Sequence, residues 1–575
     1  MRRTLNHILA SVLLLTPFFT AKGQYDQEII SVGDRTLTVE KAFKIDELPS
    51  TIDSVPRTYV MNYQTISRQV EVKYVPKQIT AAKLKLQDPL TKLYKGYAKA
   101  GIGVYTTPLL DFRFNAIRNR DWDYGFHGRH FSSQGGVKDL ADNAFSQNRL
   151  GGYATKYISK HTLEAGLDYD RNSIHYYGFQ LGEFDLDKKD YRQRYSTING
   201  HVELESHYSD SSMVQHKARL DFRNMSDRFD GKESYVLFNL DMGKTIDDYR
   251  FGLGFEVDAN NFTMGPVTSL FVDTIVTLPE PGDLTTKGGI IRFEPNIHAQ
   301  KKDLTADIGL GFAIETGEPE SALHIYPRAY VSYSLFDDLF TPYAGLTGDL
   351  DRNSYRSLSQ VNPFIAHFVT LRNTSQDLRL FAGIRGTILD NLGFNAQASI
   401  TDYDDRPLFV NDVVFSAENR FTVIYEDMRE VTIKGEMTYE HDERLTLIGG
   451  LSLSTYSLER EKEAWNLPGW EFQLDARYDL DDQFVVKAQI FAQGKRFGKG
   501  TKRFGTFGPE SPASSEVQAI ALNGFGDGSL ALEYRYTKRI SAFLEVNNLT
   551  GGRYSRWYRF PVQPVMVLGG LTYSF

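Results

Sequence analysis

The chain has 575 residues, no Cys, 47 Gly and 13% aromatics, with a formal net charge of -8 and a mean hydropathy of -0.37. Without Cys it can hold neither a disulfide framework nor a thiolate metal site, and its mildly acidic balance lacks the basic footprint of a nucleic-acid-binding protein. Beyond the N-terminus no apolar stretch approaches the ~18 residues of a membrane helix, but an aromatic-rich, Gly-rich and on average polar chain suits a membrane barrel, where only every second residue faces lipid.

In chain order, Met1-Arg2-Arg3 is a short basic start, Ile8 to Phe19 an apolar run, and Ala21-Lys22-Gly23 supplies the small residues that a signal peptidase reads. Residues 1–23 are thus expected to be an export signal, cut near Gln24 and, with no Cys there, carrying no lipid anchor. Residues 24–92 hold Pro49, Pro56, Pro76 and Pro89 and only short mixed stretches. They are expected to form a periplasmic or lumen-lying segment.

From Leu93 onward, over 93–575, one theme repeats: a stretch of alternation, then a break. Leu163, Ala165, Leu167 and Tyr169 oppose Glu164, Gly166, Asp168 and Asp170. Phe251, Leu253, Phe255 and Val257 oppose Gly252, Gly254, Glu256 and Asp258. The pattern recurs with Leu304, Ala306, Ile308, Leu310, Phe312 and Ile314, with Phe472, Leu474, Ala476 and Tyr478, and with Leu530, Leu532, Tyr534 and Tyr536. Successive side chains of a strand point to opposite faces, so each apolar set shares one face. Soluble sandwiches alternate too, but their strands centre on ~5–6 residues, whereas a tilted membrane strand needs ~9–11.

The breaks are of two kinds that take turns. Tight polar turns are expected at Asn119-Arg120, Lys160-His161, Ser209 to Ser212, Asp247-Asp248, Lys301 to Asp303, Asp337-Asp338, Asp390-Asn391, Asp442-Glu443, Asp481-Asp482 and Lys538. Longer irregular loops are expected at 134–146, 179–191, 262–285, 351–375, 404–427, 458–466, 494–525 and 550–561. Short turns on one side and long loops on the other is the signature of an outer-membrane barrel, with the short side periplasmic. The pattern predicts an all-β, transmembrane antiparallel β-barrel of about 22 strands.

The chain ends on Val567, Gly569, Leu571, Tyr573 and Phe575, alternating with the smaller Leu568, Gly570, Thr572 and Ser574. A closing strand that ends on an aromatic places it in the interfacial girdle, so Val567, Leu571, Tyr573 and Phe575 are assigned to membrane assembly of the last strand. Phe543-Leu544-Glu545-Val546-Asn547-Asn548-Leu549-Thr550, then Tyr554, Trp557, Tyr558, Pro561 and the closing Gly569-Gly570-Leu571-Thr572-Tyr573-Ser574-Phe575, resemble the end of TonB-dependent receptors, as does Asn362-Pro363-Phe364 in a long loop. Pro89 to Gly125, with Lys92-Leu93-Tyr94-Lys95-Gly96-Tyr97 and Tyr124-Gly125, resembles a Bacteroidota group of TonB-dependent-receptor-like barrels. The resemblance spans most of 90–575 and implies a Gram-negative outer-membrane location, with membrane lipid, lipopolysaccharide and the barrel-assembly machinery as partners. It also departs from the family. Transporting members carry an N-terminal plug and a TonB-contacting box, whereas 24–92 is about half a plug in length and shows no plug motif. Glu28-Ile29-Ile30-Ser31-Val32 is only faintly similar to a box.

Little in the sequence carries chemistry. Gly494-Lys495-Arg496-Phe497-Gly498-Lys499-Gly500-Thr501 misses the phosphate-loop ending and its strand–helix setting. Lys495, Arg496, Lys499, Lys502 and Arg503 are read instead as a basic outer loop, either solvated or able to meet an anionic ligand or lipopolysaccharide phosphate. His127 and His130 are three apart, which on a strand puts them on opposite faces and rules against shared metal ligation. The acidic runs 185–190 and 402–406 lack EF-hand spacing. No Ser/His or Asp/His motif stands out, so no enzyme, cofactor or metal is expected. Two functions remain: uptake of a ligand across the outer membrane, or a structural and assembly role in an outer-membrane complex. A barrel of this size has a lumen wide enough to need occluding, by residues 24–92, by the long loops or by a partner chain.

Overall fold

The computed structural model describes residues 93–575 other than 183, 211, 266–284, 318–320, 337, 390, 443, 482 and 502–516. The expected export signal and the segment 24–92 lie outside the described residues. The rest is a closed 22-stranded antiparallel barrel in which each strand pairs with its neighbours in chain order. The first strand, Gly96–Gly103, closes it against the last, Met566–Ser574, with Tyr97 opposite Ser574 and Gly103 opposite Leu568. The terminal aromatic finishes the seam. Phe575 N–H donates to the Gly96 carbonyl and Gly96 N–H to the Phe575 carbonyl, each at 3.0 Å. A Cβ at Gly96 would lie 2.2 Å from the Phe575 ring, so a larger residue there would push the terminal aromatic out of its place. Closure satisfies every strand edge, which the bilayer demands.

The faces fall as the alternation predicts. Leu163, Leu167, Tyr169, Phe251, Ile308, Leu310, Ile314, Leu530, Leu571, Tyr573 and Phe575 all stay exposed. At 64% and 47% exposure Ile308 and Leu310 have no protein core to enter, so lipid covers them. The opposite set meets across the water-facing wall: Arg149 with Asp170 at 2.6 Å, Lys99 with Glu545 at 2.5 Å, His127 with Asp168 at 3.0 Å.

All ten expected tight turns join strands at one end of the barrel. In the shortest, 159–160, 247–248 and 302–303, the leading residues Ser159, Asp247 and Lys302 sit in the left-handed region at φ 50°, 52° and 51°. The other end is less uniform than expected. Three of its connections, 104–106, 227–231 and 318–321, are short; Asp230-Gly231 and Gly317-Glu318-Pro319 are turn signals that mark two of them, although neither is among the breaks expected above. The expected loop 404–427 contracts to 412–420, since strands Leu392–Asn411 and Phe421–His441 run on for 20 and 21 residues. That is about twice what a bilayer needs. Beyond the lipid neither face must be apolar, so the alternation fades while the backbone pairing continues, with one irregularity between Tyr403 and Arg406. The expected loop 494–525 likewise contains a small hairpin, Arg496–Gly500 with Gln518–Leu522.

Candidate functional site: a loop-built cap and a basic cavity

The connection 352–373 carries the barrel's one α-helix among the described residues, Tyr355–Val361. Its local sequence explains it. Ser354 and Ser357 cap each other's backbone N–H at 3.0 and 2.9 Å, a reciprocal arrangement that satisfies two orphan donors. Asn362 precedes Pro363, which disfavours further helix, and the Asn362 N–H donates back to the Leu358 carbonyl at 2.9 Å.

Side chains of the inner wall pin this helix. Glu233 accepts from the backbone N–H of Tyr355 and of Arg356, both at 2.9 Å. The Tyr355 hydroxyl donates to Asp227 at 2.7 Å, and its ring stacks on Phe262 at 4.8 Å. Tyr195 donates to the Pro363 carbonyl at 2.9 Å and Tyr176 to the Ile365 carbonyl at 2.8 Å. Phe364 stacks on Phe560 at 3.8 Å, and the backbone of 364–366 pairs with Phe421. Tyr195, Met225 and Phe262 of the wall thereby share one buried apolar cluster with Leu358, Ile365 and Val369 of the connection and with Phe409, Phe421, Trp557 and Phe560. Several connections at the long-loop end thus meet one another and the inner wall in one buried cluster, which forms a cap. Burial raises the pKa of the Asp227 carboxyl and of the Tyr355 hydroxyl, as expected of polar groups taken into a cap interior.

At the seam between wall and helix lies a cavity of about 100 Å³, lined by Arg223, Met225, Glu233, Tyr235, Arg352, Arg356 and two serines. Its charge is unbalanced. Glu233 is engaged by helix N–H groups, and Arg352 pairs with Asp258. Arg223 lies over the Tyr235 ring at 4.9 Å, and neither it nor Arg356 makes an ion pair with a described carboxylate. Burial, then the neighbouring Arg223 charge, lower the Arg356 pKa. Such a site favours a negative guest, which guanidinium forks bind through charge-assisted hydrogen bonds. Deeper in the cap Arg420 is buried between the rings of Tyr176 and Phe229, each at 5.0 Å, with no hydrogen-bond partner for its guanidinium nitrogens among the described residues.

The basic loop singled out from sequence is partly used up within the protein. Arg496 is buried, donating to the carbonyls of Arg556 and Ser555 at 2.6 and 3.0 Å. Lys499 pairs with Glu461 at 2.8 Å, and Lys495 lies over the Phe497 ring at 4.6 Å. Lys502 and Arg503 lie outside the described residues. Val567, Leu571, Tyr573 and Phe575 sit in or just beyond the closing strand, between Ile540–Asn547 and Gly96–Gly103. His127 turns inward to Asp168, while His130 turns outward to Asn148 at 2.6 Å. Sequence reasoning passed over Arg223, Glu233, Tyr355 and Arg356. The usable signal was Ser354-Tyr355-Arg356-Ser357 followed by Asn362-Pro363, which marks a short capped helix inside a long loop.

No protein-family model matches the sequence, and no curated protein matches it. Solved structures do. The ferripyoverdine receptor of the Pseudomonas aeruginosa outer membrane superposes with a TM-score of 0.62 at 13% identity, over 84% of this chain and 72% of that one. The siderophore receptor PirA from Acinetobacter baumannii gives 0.63 at 12%, over 84% and 81%. The ferric-catecholate import receptor Fiu from Escherichia coli K12 gives 0.58 at 12%, over 84% and 82%. At such identities the likeness establishes the fold alone: the described chain has the closed 22-stranded barrel architecture that these receptors share.

Proposed function

We propose that the protein takes up an anionic ligand across the outer membrane, admitting it at the mouth that the 352–373 connection closes. The observation that carries this reading is the inward-folded helix, held by Glu233, Asp227 and Tyr195, with a cavity at its seam that presents Arg223 and Arg356 without carboxylate partners. A wall contributes strength, but a cap held by a handful of hydrogen bonds can open, and loops that move are drawn from the less stable parts of a fold. Receptors named for ferripyoverdine and for ferric-catecholate import share the fold, which supports import as the class of activity. The basic cavity supports the sign of the ligand's charge. The same reading gives the closing strand, ending at Phe575, to recognition by the barrel-assembly machinery.

Single-channel recording in planar bilayers tests it. Three variants are compared with the intact chain: one lacking 355–371, one lacking 24–92 and one lacking both. Removing 355–371 is expected to raise conductance, alone or only once 24–92 is also gone. Full conductance after removal of 24–92 alone, with the connection in place, would overturn the cap as the barrier. In the opened variant, Arg223→Ala with Arg356→Ala should lower the preference for chloride over potassium, read from the reversal potential in a salt gradient. An unchanged preference would overturn the anionic ligand.

A further inference from the structure

The outer wall carries a second basic cluster, distinct from the cavity. Alternate residues share a face, and Tyr169 and Ile198 are exposed neighbours in the outward apolar band, directly opposite each other. One step toward the long-loop end on the same face, Arg171 lies opposite Ser196, and one step further Ser173 lies opposite Arg194. Asn148 pairs with Arg171 from the other side, and Asn224 lies opposite Ile198, donating to the Ser234 hydroxyl at 2.9 Å. Arg228, in the short 227–231 connection, bonds the Lys189 carbonyl, and the charges of Arg171, Arg192 and Arg228 all act on Arg194. Among the described residues no carboxylate pairs with Arg171, Arg192, Arg194 or Arg228.

Arginine need not be left unpaired at this level of the wall. Further round the barrel Arg429, two residues above the exposed Val431, is held by both oxygens of Asp402 at 2.6 and 3.0 Å. Four like charges crowded with no carboxylate partner among the described residues repel one another, and an external anion would stabilise the arrangement. Its position specifies the anion. The cluster sits directly above lipid-facing Tyr169, Ile198, Leu150 and Phe222, at the end of the barrel that carries the long loops, which is the extracellular one. An amphiphile there would place acyl chains on the apolar band and its head group among the guanidinium, hydroxyl and amide groups.

We infer that Arg171, Arg194 and Arg228, with Arg192, form a binding site on the outer wall for the phosphates of the outer-leaflet glycolipid, the lipid A part of lipopolysaccharide. Guanidinium forks match phosphate oxygens bidentately, and the lipid would act as a fixed collar on this sector of the wall, independent of transport through the lumen.

The test uses the full-length protein in detergent, with folding confirmed by heat-modifiable gel mobility and bound lipid counted by native mass spectrometry. The probes are bisphosphorylated lipid A, lipid A stripped of its phosphates, and inorganic phosphate. The intact protein is expected to retain bisphosphorylated lipid A at least tenfold more tightly than the stripped form, with retention falling as salt rises. The R171A/R194A/R228A variant should lose at least tenfold, while R429A, whose arginine already has a partner, should match the intact chain. Should the triple variant not fold, the exposed Arg171→Gln carries the test alone, with a smaller loss. Retention by R171A/R194A/R228A (or by Arg171→Gln where it carries the test) equal to that of the intact chain, or equal binding of stripped lipid A, would overturn the site. Displacement of lipid A by inorganic phosphate at equal concentration would overturn the lipid as its occupant.

Discussion

The wall and the cap of this barrel obey the same physics against different solvents. In the wall the apolar side chains are the exposed ones, and the charged side chains meet one another inside. In the cap the order is that of a soluble protein: Phe262, Tyr355, Ile365, Phe421 and Phe560 are buried together. Hydrocarbon takes the place of a core for the first region, while the second must build its own because water bathes its outer side. The wall is therefore held by a repeated ladder that no single residue dominates, and the cap by a few specific contacts that a single change can release.

That contrast can be broken from either side. The largest effect is expected from Leu310→Arg, which puts a charge on the lipid face at a cost of ~2–4 kcal/mol near mid-depth. Folded protein recovered from outer membranes should fall sharply, and normal recovery would mean the faces are assigned wrongly. Glu233→Ala should come next, costing ~1.5–3 kcal/mol because two helix N–H groups lose a charged acceptor. Its signature is selective: faster proteolysis within 352–373 and, in the chain lacking 24–92, higher conductance, with the barrel's own unfolding midpoint unmoved. Tyr195→Phe removes one hydrogen bond to the Pro363 carbonyl, worth ~0.5–1.5 kcal/mol, and should give a weaker version of the same signature. Asp307→Asn is expected to leave assembly intact, since Asp307 faces inward, accepts from Asn296 at 3.2 Å and carries no lipid contact. Equal damage from Asp307→Asn and Leu310→Arg would erase the distinction between the two faces.

The wall was readable because its signal is local. A period of two residues, repeated along each stretch from Leu163–Tyr169 to Leu571–Phe575, names the face of every side chain before any partner is known. The tight turns were readable for the same reason, as Asp247-Asp248 and Lys302-Asp303 interrupt the alternation with residues that tolerate turn geometry. Where the strands leave the lipid, as in 404–411 and 421–427, the local signal fades and loop was read where strand exists.

The cap was not readable, because its contacts join residues that no periodicity connects. Tyr176 and Ile365 are 189 residues apart, and Tyr177 and Pro561 are 384 apart. Arg496 looked like a free basic side chain in a Gly-rich loop, and only the approach of Ser555 and Arg556 engages it. Conversely, Arg223 and Arg356 looked unremarkable in sequence, and only the inward fold of the helix brings them to one cavity.

The amino-acid order by itself determined the antiparallel wall, its approximate strand number, its two faces and which end carries the turns, because lipid reads each residue singly and a strand presents residues in strict alternation. The tertiary structure alone decided which loops meet in a buried cluster, which arginines share a cavity and which have no carboxylate partner on the outer surface among the described residues. Those outcomes depend on through-space meetings between distant segments, and a one-dimensional pattern holds no record of them.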